Sequence, residues 1–171
     1  MSAPAPEGSS IELVLERDLP ELLPLLRAYC DFYETDPSDP ALLALSRRLL
    51  ADPGREGVQL IARDGGSLAV GFATVFWTWD TTVADRVGIM NDLFLSPGAR
   101  GHGLAEALIE ACREQCARRG AARLDWVTGP GNTRAQAVYD RIGAVREGWL
   151  SYTIGVGAGE RDPSAEEGER G

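Results

Sequence analysis

Two glycines with one residue between them link an apolar strand-like segment to a long helical pattern. This arrangement limits the folds that the chain can adopt. Val87–Leu95 is apolar enough for a buried strand, a Ser-Pro turn follows it, and Gly101 and Gly103 precede the helical pattern. Glycine lets the backbone turn sharply and approach a ligand closely. The first turn of the helix adds unpaired N–H groups and the positive end of the helix dipole. The segment Arg100–Ala105 is therefore predicted to bind a pyrophosphate group.

The same glycines also fit an ordinary turn that binds nothing, but their context favours a phosphate site. Two other kinds of phosphate site fit less well. The chain contains no Lys, so the lysine of a P-loop is missing. A dinucleotide-binding fingerprint usually lies near the start of a chain, with an acidic residue about 20 residues beyond it. Asp125 lies near that distance, but the three predicted strands in succession before the loop do not fit a βαβ unit.

Alternation and helical periodicity divide the chain into strands and helices in the order β-α-α-β-β-β-α-β-α-β. The predicted strands are Ile11–Glu16, Val58–Arg63, Ser67–Thr78, Val87–Leu95, Arg123–Val127 and Trp149–Ile154. Four helices are predicted. The first begins at a capping box formed by Asp18 and Glu21 and ends near Tyr33, and the others are Pro40–Leu50, Leu104 to the stop at Gly120, and Thr133–Ile142. Pro24 is expected to kink the first helix or to set its start. This order predicts a fold that contains both helices and strands. Its class is α/β in the broad sense and α+β in the strict sense, with a mixed sheet and helices on the faces of the sheet.

Length and charge indicate one acidic domain. The chain has 171 residues and a net charge of −9, so nucleic acid and anionic membranes would repel it and are not expected as partners. A cationic acceptor would be attracted, although such a charge also serves solubility. Residues 1–9 and 157–171 are rich in Pro, Gly, Ser and charged side chains, and are predicted to be disordered tails around a domain of residues 10–156.

Cysteine spacing gives no sign of a disulfide framework or a metal site. Cys30, Cys112 and Cys116 are odd in number and lack a C-x-x-C spacing. Cys112 and Cys116 share one helix face and are predicted to pack in the core. The N-terminus lacks the pattern of a signal peptide, and the longest apolar stretch, near Leu68–Trp79, is too short to cross a bilayer. The expected location is the cytoplasm, with no bound metal.

A second motif follows the glycine loop. It reads N-T-R-A-Q-A-V-Y from Asn132 to Tyr139 and ends in I-G-A, after G-A-R-G-H-G from Gly98 to Gly103. The pair resembles the GNAT N-acetyltransferase superfamily, whose cofactor motif Q/R-x-x-G-x-G/A is followed downstream by N-x-x-A-x-x-x-Y. The resemblance covers about residues 10–155 and implies the GNAT fold, a central, mostly antiparallel mixed sheet flanked by helices on both faces. The first Gln or Arg of the motif is Gly98 here, and Arg100 is a candidate to replace its phosphate contact.

The resemblance implies acetyl-CoA as cosubstrate and direct transfer of its acetyl group to a primary amine in a ternary complex. The implied cofactor-binding residues are Leu93, Phe94, Leu95, Arg100, Gly101, His102, Gly103, Leu104, Ala105 and Asn132. The backbone of Leu93–Leu95, on a strand that splays from its neighbour, would hold the pantetheine arm and polarise the thioester carbonyl. Tyr139 would donate a proton to the departing thiolate. The alternatives are a helix N-cap for Asn132 and a core aromatic for Tyr139. A non-catalytic CoA-binding module, or a transferase of another acyl group, would share these motifs.

The acceptor amine needs a base, because a primary amine with a pKa of about 10.4 is only about 1 part in 2,500 neutral at pH 7. Asp92 is the candidate, and the alternative for it is an Arg-paired or strand-edge carboxylate. The preceding position is acidic in polyamine-acetylating relatives and is Asn91 here. The resemblance implies an acceptor pocket formed by Tyr29, Tyr33, Glu34, Trp77, Trp79 and Asp80. Their aromatic faces and carboxylates suit an ammonium ligand, and the alternative for them is a place in the core and at its rim. A polyamine, amino acid, aminoglycoside or peptide amine would fit, and the sequence leaves a homodimer open.

Overall fold

Five strands form one sheet in chain order in the computed structural model, which describes residues 6–155. The strands are β1 (Ser10–Leu13), β2 (Gly57–Arg63), β3 (Ala69–Asp80), β4 (Asp85–Leu95) and β5 (Leu124–Asp125). Neighbours from β1 to β4 pair antiparallel, whereas β4 and β5 pair in parallel. The prediction of a mixed, mostly antiparallel sheet is therefore confirmed.

Helices cover both faces of this sheet. They are α1 (Leu19–Phe32), α2 (Asp39–Ala51), α3 (Leu104–Arg118) and α4 (Thr133–Arg141). One hydrophobic cluster joins α1 and α2 to Ile61, Phe72 and Phe94 of the sheet. The other joins α3 to the opposite face, through side chains such as Val75 and Met90. The sheet thus has two cores, and its two faces can carry different chemistry.

The long helix α3 follows the sequence pattern closely. Leu104, Leu108, Cys112 and Cys116 recur at helical spacing and are all buried, because this stripe faces the sheet. The predicted core positions of Cys112 and Cys116 are confirmed, and burial raises the pKa of both thiols. The helix ends next to Gly120, whose φ of +66° is in the left-handed region that favours glycine.

The start of α1 differs from the predicted capping box. Asp18 makes no side-chain cap of the helix. Its carboxylate instead accepts hydrogen bonds from the Leu15 N–H at 2.8 Å and from Arg63 at 3.0 Å. The α-helix begins at Leu19 and continues through Pro24, so Pro24 does not set its start. The acidic side chain fixes the approach of the chain to the helix rather than the helix itself.

The predicted final strand is wrong. Residues Trp149–Ile154 form no strand within the described part of the chain, and the exposed fraction of Trp149 is 86%. The alternating pattern favours an extended backbone, but a strand also needs a partner for its N–H and C=O groups. No pairing with the sheet supplies one here. β5 is likewise shorter than predicted, with two residues of the predicted Arg123–Val127 in the ladder.

Part of the predicted N-terminal tail lies within the described residues. Residues 6–9 form a turn in which the Ser9 N–H donates to the Pro6 carbonyl at 2.9 Å. Residues 1–5 and 156–171, which include the whole predicted C-terminal tail, lie outside the described residues.

Candidate active site

A cavity opens where β4 and β5 separate. The two strands pair only at Gly88 with Leu124 and at Ile89 with Asp125, after which β5 ends and β4 continues to Leu95. The cavity has a volume of about 190 Å³. One wall is Met90, Asn91 and Leu93–Leu95, and the opposite wall is Trp126–Thr128. Residues of α1 and α4, together with Arg100, Ala105 and Asn132, supply the rest. The predicted splay of the strand that carries Leu93–Leu95 is present in the structure.

A β-bulge in β4 shapes the cavity wall. Thr74 of β3 stands opposite Asp92, whereas the next residue, Val75, stands opposite Met90, so Asn91 has no partner across the ladder. A bulge bends its strand and turns the side chains that follow it. Asn91 and Leu93 line the cavity, while Asp92 lies on the face covered by α1.

The Asp92 carboxylate is buried behind this wall. The side chain is 9% exposed, and the Asn91 amide donates a hydrogen bond of 2.9 Å to it. Tyr29 of α1 lies beside it, where burial and then the charge of Asp92 raise the pKa of the Tyr29 hydroxyl. No Arg pairs with Asp92 among the described residues, unlike most other buried or half-buried carboxylates of the chain. The Arg-paired alternative is therefore not observed.

The glycine loop fits a pyrophosphate. Gly101 and Gly103 have φ values of +88° and +83°, and a Cβ built on either would meet no atom within 4 Å. These glycines are required by the backbone conformation and not by contact with other parts of the chain. In the described structure the N–H groups of residues 101–105 donate to no backbone or side-chain acceptor. With the start of α3, they form a set of free donors suited to an anion.

Arg100 is held at the mouth of this loop. Its Nε donates a hydrogen bond of 2.8 Å to the Leu95 carbonyl, and its guanidinium lies 6.0 Å from the centre of the Phe94 ring. Both Arg100 and Ala105 line the cavity, together with Arg134 of α4, which the sequence analysis did not single out. Because Arg134 lies inside the second motif, its position next to Asn132 was the available signal. The side chain of His102 does not line the cavity.

The helix α4 brings the second motif to the same cavity. The Asn132 side chain accepts from the Ala135 N–H at 3.3 Å and so caps the helix, while it also lines the cavity. Tyr139 lines the cavity one to two turns later, with its ring 5.3 Å from that of Trp126. Burial, followed by the neighbouring Tyr33, raises the pKa of the Tyr139 hydroxyl, and a hydrogen bond with Thr128 opposes this rise. The hydroxyl therefore keeps its proton throughout the neutral range.

Only part of the predicted acceptor pocket reaches this cavity. Tyr29 and Tyr33 line it, with ring centres 4.9 Å apart. Glu34, Trp77, Trp79 and Asp80 are not among the residues that line it. β3 runs antiparallel to β4, which places the end of β3 beside the start of β4, far from the bulge. Glu34 follows the end of α1, outside the cavity wall. Three further residues line the cavity that the sequence did not single out: Phe32 and Trp126, inside predicted elements, and Thr128, directly after one.

Two other classes of site find no support in residues 6–155. No group of three or more His, Cys, Asp or Glu side chains there could hold a metal ion. Within the same residues, no helix has both the length and the apolar character needed to span a membrane.

Comparison with known proteins identifies the family. The model described as "Acetyltransferase (GNAT) family" matches residues 19–144. The chain is 30% identical over 143 residues to the uncharacterized N-acetyltransferase YhfO of Bacillus subtilis (strain 168), which covers 82% of this chain and 93% of that protein. It is also 30% identical over 93 residues to a thialysine N-epsilon-acetyltransferase of Caenorhabditis elegans, covering 52% of this chain and 58% of the relative.

Solved structures share the fold. The aminoglycoside N-acetyltransferase AAC(6')-Iy, solved in complex with CoA, has a TM-score of 0.75 and 23% sequence identity, covering 90% of this chain and 98% of its own. A probable acetyltransferase has a TM-score of 0.76 and 23% identity, covering 86% and 97%. Since the family model spans more than half of the chain and the Bacillus protein is similar over most of its length, this chain belongs to the GNAT family and is an acyl-CoA-dependent N-acetyltransferase.

Proposed function

We propose that the enzyme transfers the acetyl group of acetyl-CoA directly to a primary amine of a small cationic molecule, in a ternary complex at the cavity between β4 and β5. The observation that carries the proposal is the convergence on one cavity of three features: the two ends of the glycine loop, Arg100 and Ala105, the protonated Tyr139 hydroxyl, and the aromatic pair Tyr29 and Tyr33.

The chain's residues fit acetyl-CoA, which supplies a thioester carbonyl as electrophile and a thiol as leaving group. The N–H groups of residues 101–105 would bind its pyrophosphate, as the start of a helix favours an anion. Beyond Ile89 the edge of β4 has no strand partner in the described chain. Backbone groups of Leu93–Leu95 on this edge would bind the pantetheine arm, except the Leu95 carbonyl, which accepts from Arg100. Asn132 would contact the same arm from the start of α4.

Tyr139 is the proposed proton donor to the sulfur that leaves. A general acid must be protonated at the working pH, and burial keeps this hydroxyl protonated. The Thr128 contact and the packing against Trp126 fix the direction of the ring. These contacts would hold the hydroxyl at the cavity without requiring a bound substrate.

Asp92 is the proposed base for the incoming ammonium group. Most primary amines are protonated at neutral pH, so the nucleophile forms only when a proton is removed. The carboxylate lies behind Asn91 rather than on the cavity wall, so we propose that it takes the proton through a water molecule at the bulge. A base at this position is close to the wall that Leu93 forms.

The cavity suits a cationic acceptor. Phe32, Tyr29 and Tyr33 form an aromatic wall, and aromatic faces attract ammonium groups. The net charge of −9 attracts cations over longer distances. Two similar proteins carry acceptor names, thialysine and aminoglycoside, and both names support an amine acceptor here.

A second copy of the chain is the proposed protein partner. Apolar side chains after α4 are largely exposed, from 78% for Leu150 to 89% for Ile154. A run of exposed apolar groups commonly marks a protein contact. Light scattering should show a dimer, and Leu150→Ser with Ile154→Ser should give a monomer. A monomeric parent protein would contradict this part of the proposal.

An acceptor panel tests the central proposal. Thiol release from acetyl-CoA should be measured with polyamines, amino acids, aminoglycosides and peptide N-termini. We expect turnover with one or more cationic amines, and less turnover at subsaturating acceptor when salt is added, because salt screens the attraction. A preference for neutral or acidic amines would contradict the cationic acceptor. Absence of turnover with every amine, despite binding of acetyl-CoA, would support a non-catalytic module.

A further inference from the structure

Three polar side chains lie in one line across the centre of the sheet and are all buried. Gln59 of β2 stands opposite Thr74 of β3, and Thr74 stands opposite Asp92 of β4. Their exposed fractions are 4%, 0% and 9%. The Gln59 amide donates a hydrogen bond of 3.2 Å to the Thr74 hydroxyl. We call these three residues the polar row.

The polar row lies on the face of the sheet that α1 and α2 cover. Side chains two residues apart on a strand share a face. Ile61, Phe72 and Phe94, each two residues from a member of the row, belong to the hydrophobic cluster under these helices. Burying polar groups among such neighbours costs free energy unless they are hydrogen-bonded, and apolar side chains would pack there without that cost. Packing alone therefore does not explain the row.

The row leads to the proposed base. The Thr74 hydroxyl accepts from Gln59, which leaves its own proton available to a further acceptor. The residue directly opposite in the ladder is Asp92, and opposite Cβ atoms in an antiparallel pair are about 4.5–5.5 Å apart. Asn91 and Tyr29 contact the carboxylate from the bulge and from α1. Thr74 stands opposite it on the sheet side.

The far end of the row has two unsatisfied atoms. Gln59 Oε1 and the Ser46 hydroxyl are buried and have no hydrogen-bond partner among the described residues. Ser46 is on the buried face of α2, which leads into β2 by a short turn. The helix rises about 7.5 Å from Ser46 to its end at Ala51. The strand advances about 7 Å from Gly57 to Gln59. Both groups are therefore about equally far along their elements from the connecting turn, and a buried water commonly satisfies such atoms.

We infer that Gln59 and Thr74 are positioning residues for Asp92, and that a buried water joins Gln59 to Ser46 at the far end of the row. Gln59 fixes the Thr74 hydroxyl, Thr74 donates its proton toward the carboxylate, and the water fixes the Gln59 amide. The carboxylate thereby keeps one orientation toward the bulge and the cavity. The inference rests on the proposed function, in which Asp92 is the base.

Thr74→Val tests the row with little change in shape, because it replaces only the hydroxyl by a methyl group. With acetyl-CoA and the best amine of the panel, we expect kcat to fall about 10- to 100-fold, as for loss of a hydrogen bond to a charged group. The KM for acetyl-CoA should change less than about twofold, since the cofactor loop is untouched. Thr74→Ser keeps the hydroxyl and should restore most of kcat. Equal losses in both variants, or parental kcat in Thr74→Val, would overturn the inference.

A double-mutant cycle separates positioning from general damage. If Thr74 acts through Asp92, adding Thr74→Val to Asp92→Asn should not lower kcat further. A further loss that multiplies the two single effects would overturn the inference. Gln115→Leu is the matched control, because Gln115 is a buried amide, 8% exposed, on α3 at the opposite face. It should leave kcat unchanged.

Further measurements test the polar row separately from the proposed function. If Thr74→Val fails to fold, Gln59→Met should fold and lower kcat about 3- to 10-fold, as loss of a neutral hydrogen bond would. Parental kcat in that variant overturns the inference. A crystal structure should show the water within about 3.2 Å of Gln59 Oε1 and the Ser46 hydroxyl, and a dry site overturns that part. A parent enzyme that acetylates no amine refutes the proposed function, whereas parental kcat in Asp92→Asn refutes the base and the row together.

Discussion

The two ends of β4 have opposite construction. At its start, Gly88 pairs with Leu124 of β5, and a Cβ at Gly88 would lie 2.5 Å from the Cys116 sulfur and 3.2 Å from the Trp77 ring. At its other end β5 has left the sheet and the cavity takes its place. The glycine loop beyond that end has open space where Gly103 would carry a Cβ. We call these regions the closed end and the open end.

The difference between the closed end and the open end shows two reasons why a position requires glycine. Gly88 is required because neighbouring side chains fill the space, so its role is packing. Gly103 has no such neighbour, and its φ of +83° together with free N–H groups indicates a role in ligand approach. Substitutions at the closed end should therefore change stability, and substitutions at the open end should change binding and turnover.

Gly103→Val should have the largest effect. Its side chain would occupy the space of the pyrophosphate, and loss of two charge-assisted hydrogen bonds corresponds to about 1,000-fold weaker binding of acetyl-CoA. Isothermal titration calorimetry measures the affinity, and circular dichroism checks the fold. Gly120→Val is the matched control, because Gly120 also has a positive φ of +66° and open space, at the other end of α3. Equal affinity losses in the two variants would reduce the loop to an ordinary turn.

Tyr139→Phe should follow. The variant keeps the ring that packs on Trp126 and removes only the proposed proton donor. A thiolate with a conjugate acid of pKa about 8.5 leaves tolerably well without protonation. We therefore expect a loss of kcat of about 10- to 1,000-fold. Affinity for acetyl-CoA should change less than about tenfold. Parental turnover would leave Tyr139 a packing residue.

The role of Tyr139 as an acid also predicts the direction in which activity changes with pH. Tyr139 acts as an acid only while protonated, and its pKa lies above the ordinary value of 10.0. The activity that depends on it is present below that pKa and is lost as the pH rises through it. The alkaline limb of the parental pH–rate profile should therefore lie above pH 10 for this group and be absent in Tyr139→Phe. Identical limbs in the two proteins would contradict the assignment.

Gly88→Ala should affect stability and not catalysis. A methyl group cannot enter the closed end without displacing Cys116 or Trp77, and overpacking of this kind costs about 1–3 kcal/mol. For a chain of this size, that lowers Tm by about 2–12 °C. The kcat of the folded variant should remain near the parental value. An unchanged Tm together with reduced kcat would break the distinction between the two ends.

Local patterns predicted the open end better than the closed end. The loop and α4 follow from contiguous motifs, and the apolar stripe of α3 follows from helical period, because each depends on neighbours in sequence. The sequence could not show that Trp79 and Asp80 lie away from the cavity, because their position depends on the register of β3 against β4. The unpaired Asn91 has the same origin: a bulge is a relation between two strands, and neither strand's pattern shows it.

The polar row and the missing last strand show the same limit of prediction from local sequence patterns. Gln59 and Thr74 stand in mainly apolar strands, but only the ladder aligns them with Asp92. Trp149–Ile154 alternates as a strand does, yet pairing depends on a partner that sequence pattern does not name. Burial periodicity is local information, whereas register and pairing are not.

Asp80→Asn should have the smallest effect. Asp80 pairs with Asp85 at the start of β4, so this variant tests whether a change at the closed end leaves turnover unaffected. Hydrogen bonds from Arg123, then from Thr82, lower the pKa of Asp80 from 3.8 to about 2. Because the folded pKa is the lower one, this carboxylate stabilises the fold above about pH 4, and its contribution is lost as the pH falls through about 2. The ion pair is at the surface, so the difference in Tm between Asp80→Asn and the parent should be small at pH 7 and should vanish toward pH 2. Turnover should stay within about twofold of parental, because Asp80 does not reach the cavity. A selective rise in the KM for the amine would instead return Asp80 to the acceptor pocket and remove the boundary between the two ends.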